Sequence, residues 1–141
     1  MKKTIANTAV SFILTAALGG CSGDNESFRA QTLAKVSALG ETYAELIRAH
    51  EANEIKFVIY RAAATVGDER FSDHVRQNLI DAATRKCRLE IQVRDEFARI
   101  EKKVRDNVGV VDPPWLIQDR NWQLADTHIR QSKFNAQKDG C

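Results

Sequence analysis

The chain has 141 residues, with 21 Lys and Arg against 19 Asp and Glu. Lys2 and Lys3 fall within the first twenty residues, which hold no acid, so residues 21–141 carry 19 bases and 19 acids. A neutral body gives no broad electrostatic reason to bind nucleic acid or another polyanion. Its length suits one domain able to bury its own core.

The N-terminus opens on Met1-Lys2-Lys3 and continues with a mostly apolar stretch from Ile5 to Leu18. Basic start, apolar middle and small residues form the three-part plan of an export signal. As a helix the fourteen apolar-rich residues reach about 21 Å, short of a bilayer core of ~30 Å. A permanent membrane span is therefore not expected here.

The stretch ends in Leu18-Gly19-Gly20-Cys21. This tetrapeptide resembles the lipobox of bacterial lipoproteins, an aliphatic residue and two small ones before an acceptor cysteine. The resemblance covers residues 1–21 only. It implies cleavage after Gly20, a thioether-linked diacylglycerol on Cys21 and an N-acyl chain on the freed amine, with no other cofactor. Each buried methylene contributes about 0.8 kcal/mol, so two or more chains hold a protein at a membrane where one does not. Ser22 follows where an aspartate would imply inner-membrane retention. The expected location is thus the outer membrane facing the periplasm, with the inner membrane as the alternative.

Three parts are expected: a cleaved signal (1–20), a lipidated cysteine with a polar tether (21–26), and a helical domain (27–141). Extended, Ser22–Glu26 reaches at most about 17 Å, which keeps the domain and its partners close to the lipid surface. Ala, Arg, Glu, Leu, Gln and Lys are plentiful and the two prolines are adjacent, a composition that favours helix.

Apolar residues at Val36, Leu39, Tyr43, Leu46, Phe57, Tyr60 and Ala64 recur at helical spacing. His50 and Asn53 occupy the two seam positions between them and predict a polar layer or a kink. Gly40 is tolerated at a cost of about 1 kcal/mol. Gly67-Asp68 reads as a stop followed by a new N-cap, with Ser72-Asp73 as a competing start. A second run from Val75 to Val104 is expected to end at Gly109, its charged far side in solvent.

Asp112-Pro113-Pro114 punctuates the chain next. Asp112 suits an N-cap and Pro113 the first helical position. The third run places Trp115, Trp122, Ile129 and Ala136 seven residues apart, a coiled-coil-like seam. The expected fold is all-α, an up-down-up bundle of about three long amphipathic helices. None of these faces is apolar all round. Segment 74–87 also resembles 128–141, with five of fourteen positions identical and both cysteines in register.

Once Cys21 is assigned to lipid, Cys87 and Cys141 remain as an expected disulfide in an oxidising compartment. That bond closes a 54-residue loop, worth about 4 kcal/mol in the chain-entropy model. The alternative is a half-buried Cys87 with an unpaired terminal thiol.

Chemistry has few places to reside. His50 and Glu54 share a helix face and are weak metal candidates, but the zinc-protease pattern would need a second histidine where Glu54 stands. A polar layer fixing helix register is the plainer reading. There is no Cys-x-x-Cys, nucleophile elbow, phosphate loop or dinucleotide fingerprint. No catalytic residue and no complete metal site is assigned. Trp115 and Trp122 are candidate interface anchors, with core packing the alternative. These features predict a non-enzymatic interaction or adaptor component of a cell-envelope assembly, such as secretion, conjugation, a pilotin-like role or exclusion. A small-ligand or metal-binding lipoprotein is the second expectation.

Overall fold

The computed structural model describes residues 20–131, with side chains from Asn25 onward. The signal segment before Gly20, the Cys141 half of the expected disulfide and most of the second 128–141 copy lie outside the described residues. Among the described residues four helices follow one another: α1 (Gly20–Ala63), α2 (Glu69–Val108), α3 (Pro114–Ile117) and α4 (Arg120–Gln131). The fold is all-α, and no strand occurs among the described residues.

α1 has 44 residues and is about 66 Å long. It passes through Gly40 and the expected polar layer without interruption. It also includes Cys21 to Glu26, so the expected tether forms the first turns of the helix. Coiled into helix, those residues cover less than half the distance they would span extended.

The turn after α1 is built as the sequence dictates. Its last carbonyls tighten into short-range bonds, Thr65 N–H to Ala62 O (3.1 Å) and Val66 N–H to Ala63 O (3.0 Å). Gly67 then takes φ +76°, a left-handed conformation that suits a residue without Cβ. Asp68 is the N-cap of α2 and accepts a hydrogen bond from Phe71 N–H at 3.2 Å. The competing start at Ser72-Asp73 is therefore not used. α2 ends where expected, with Gly109 at φ +80° donating its N–H to Arg105 O.

The third run departs from expectation. Pro113, not Asp112, is the N-cap, and the helix that follows lasts only from Pro114 to Ile117. Asp119 restarts it: its Oδ1 accepts from Asn121 N–H (2.8 Å) and Trp122 N–H (3.2 Å). A side-chain carboxylate that satisfies the exposed amides of a new first turn favours a new helix over a continuous one. The third element is thus a short helix, a corner and α4.

α1 and α2 pack antiparallel, and α4 lies in the groove between them over the half remote from the Gly67 turn. The core is a single cluster: Val36, Leu39, Leu46 and Ala49 of α1, Leu89, Val93, Phe97, Ile100 and Val104 of α2, and Leu116, Trp122 and Ala125. The Trp122 ring stacks on Phe97 with centroids 4.2 Å apart. Toward the turn, Ala63 and Val75 are buried but lie outside this cluster. There the α1/α2 hairpin projects as a pair.

Candidate interaction surface

The cysteines come first. Cys21 lies in the first turn of α1. Cys87, midway along α2, is disulfide-bonded. Its partner is outside the described side chains.

His50 and Glu54 both lie exposed on α1. His50 is not in the α1/α2 seam. Asn53 occupies that seam alone, and its Oδ1 is buried without a hydrogen-bond partner. Among the described residues no group of three or more His, Cys, Asp or Glu is placed to hold a metal ion. His74, whose position matches His128 in the internal similarity, bonds Asn78 on its own helix.

His128 behaves differently. Its Nε2 lies 2.9 Å from both carboxylate oxygens of Glu90. Glu90 is 3 % exposed and also meets Arg94 Nε at 3.3 Å. The Tyr43 ring packs against the imidazole at 5.2 Å. One carboxylate thus joins α2 to α4 beneath an aromatic of α1. The arrangement is a buried, paired charge of the kind that fixes how helices register.

The tryptophans divide. Trp122 is part of the core and not available as a surface anchor. Trp115 is half-buried at the core edge, with the Arg29 guanidinium 5.9 Å from its ring centroid. That contact tethers the α3 corner to the first third of α1.

A shallow recess of about 280 Å³ opens between α1 and α2, lined by Lys35, Ala38, Glu96, Arg99, Ile100 and Lys103. Lys103 holds the Lys35 ammonium below the usual lysine range, first through the hydrogen bond between the two amines and then through like-charge repulsion.

A row of exposed aliphatic side chains lies elsewhere. On the outer side of α1 stand Ile55 (60 % exposed), Val58 (65 %) and Ile59, continued by Ala62 and by Val66 in the turn. Their spacing of i, i+3, i+4, i+7 and i+11 is that of a helical face. Ile55 and Ala62 each follow a seam residue, Asn53 and Tyr60, by two positions. Two residues turn a helix by 200°, so the stripe points away from α2. The outward face of α1 is thus apolar over its last third. The spacing was legible in the sequence, but the stronger seam through Leu39, Leu46 and Tyr60 took the inward role first.

No helix among the described residues is long and apolar enough to cross a membrane. Comparison with protein-family models, curated proteins and solved structures finds no match to this chain.

Proposed function

We propose that the protein is a lipid-anchored, periplasm-facing helical lipoprotein that serves as an interaction component of a cell-envelope assembly. The observation that carries the reading is the aliphatic stripe Ile55–Val58–Ile59–Ala62–Val66, exposed at helical spacing along one face of α1 and into the turn. Exposed large aliphatics are ordinary when scattered, whereas a contiguous row rimmed by charge marks an interaction surface. The anchoring half of the reading rests on Lys2-Lys3, the apolar run and Leu18-Gly19-Gly20-Cys21. The helical start at Gly20 supports a body held close to the lipid.

Two measurements test it together. Mass spectrometry of the membrane fraction is expected to find the mature chain acylated at Cys21, and Cys21→Ser is expected to abolish processing and membrane association. A photo-crosslinking residue at position 58, introduced in cells, is expected to capture a specific envelope protein. An unacylated chain overturns the anchor, and recovery of uncrosslinked monomer alone overturns the interaction role.

A further inference from the structure

We propose that the recess between α1 and α2 binds a phosphate monoester, its phosphate held by Lys35, Arg99 and Lys103 and its apolar body resting on Ala38 and Ile100.

The register of the hairpin gathers the three bases. Thr42 Oγ1 meets Glu96 Oε2 at 3.2 Å, and a heptad further toward the Gly20 end the same alignment sets Lys35 opposite Lys103. Arg99 stands one turn before Lys103 on α2 and lines the same recess. No acid answers them. The helical neighbours of Lys35 are Gln31, Thr32, Ala38 and Leu39, all uncharged. On α2, Asp106 pairs with Lys102 at 2.7 Å and Glu101 with Arg105 at 3.7 Å. Asp95 stands one turn before Arg99 without pairing to it. Glu96 enters the lining, but its two oxygens accept from Gln92 (2.8 Å) and Thr42 (3.2 Å). Among the described residues Lys35, Arg99 and Lys103 thus take part in no ion pair.

The chemistry of the ligand follows from this lining. Two facing ammoniums and a guanidinium offer donors from both helices, which suits a group with several acceptor oxygens and a charge of about −1.5 to −2 better than a singly charged carboxylate. Lys103 already holds the Lys35 ammonium below its usual range, and an anion seated between them removes that repulsion. The floor is apolar, formed by Ala38 and the buried Ile100 with the methylene stems of the lysines beside them. At about 280 Å³ the recess has room for a phosphate and a short apolar group, at the small end of ligand sites. The body as a whole is neutral, so the attraction is local to this recess. Two sources carry the chemistry, the monoester headgroup of an anionic lipid and a soluble phosphate ester. Lys35 lies fourteen residues along α1 from Cys21, about 21 Å, so a headgroup reaches the recess only where the bundle leans onto the lipid surface.

The test is calorimetric titration of the full chain in neutral detergent with butyl phosphate, beside inorganic phosphate and butanol as its two halves. Butyl phosphate is expected to bind, inorganic phosphate several-fold more weakly and butanol not at all. Lys35→Gln and Lys103→Gln each weaken binding about tenfold, with circular dichroism to verify helix content. Arg85→Gln and Arg88→Gln, at exposed bases outside the recess, leave it unchanged. Phosphatidic acid added to the micelles separates the sources. Loss of butyl phosphate binding with this lipid, and not with phosphatidylcholine, assigns the site to a headgroup, whereas undiminished binding assigns it to a soluble ester. No binding at millimolar butyl phosphate overturns the proposal, as does binding indifferent to Lys35 and Lys103 or lost equally with Arg85 and Arg88. Inorganic phosphate binding as tightly as its ester overturns the assignment to a monoester.

Discussion

His128 reaches across from α4 to place Nε2 2.9 Å from both oxygens of the buried Glu90 carboxylate. Removing His128 leaves the buried carboxylate with Arg94, and removing Glu90 takes the shared partner from both, so each loss costs more than the pair's net contribution. His128→Ala is therefore predicted to destabilise the fold by about 2 kcal/mol, and Glu90→Ala by a comparable amount. The double variant should fall well short of their sum. Urea unfolding of the four proteins measures the coupling; additivity within error would show that the two residues do not act on each other.

Gly40 faces Asn121 so closely that an added Cβ would meet the Asn121 side chain at Cβ (2.9 Å) and closer still at Cγ and Oδ1. On an isolated helix Gly→Ala would stabilise by about 1 kcal/mol. Gly40→Ala is instead predicted to destabilise by about 1–3 kcal/mol, because α4 must shift off α1. Adding Asn121→Gly should return much of the loss. Thermal unfolding decides it, and a stabilised Gly40→Ala would mean that α4 does not pack there.

Lys35 and Lys103 set like charges across the seam, and the Lys35 ammonium is held below its ordinary range. The unfolded chain therefore binds the proton more tightly than the folded one. The site opposes folding at neutral pH, and stability contributed here rises as pH climbs through the depressed folded value toward 10.5. Lys35→Glu is predicted to be neutral or slightly stabilising at pH 7, by no more than a few tenths of a kcal/mol since the pair is solvated. The variant should also lose that alkaline rise. A clearly destabilised variant at low salt would contradict the assignment.

Cys87 is bonded, and geometry excludes Cys21 as its partner. Thr42 bonds Glu96 and Lys35 meets Lys103 across the antiparallel pair, which fixes the register. Cys21 then lies about 45 Å along the bundle from the level of Cys87. Disulfide geometry holds Cα atoms within about 7 Å. Non-reducing peptide mapping is predicted to join Cys87 to Cys141, and reduction should lower the unfolding temperature. A Cys87–Cys21 peptide would refute both this pairing and the lipid on Cys21.

The two long helices were legible in the sequence because Gly67, Asp68 and Gly109 carry their own conformational signals. Those signals are local, and local chemistry survives packing. The fate of the third run was less legible. Its seven-residue tryptophan spacing implied one helix, whereas Asp119 caps a second one, and nothing near Asp119 outweighed the longer pattern. His50 misled for a related reason. Its spacing fits the seam, but α4 does not accompany α1 that far, and a position in a two-helix section can turn outward. His128 gave no sign of its role, since its partner Glu90 lies 38 residues away on another helix.

The continuity of α1 has a mechanical consequence. A helix of 44 residues braced by α2 along most of its length is a stiff lever about 66 Å long. A tilt of roughly 10° at Gly20 would sweep the far end through about 11 Å, several turns of helix away from where the motion began. Fixing the angle at the base thus fixes where the Ile55–Val66 row is presented, and rotation there would carry the row toward or away from whatever it meets.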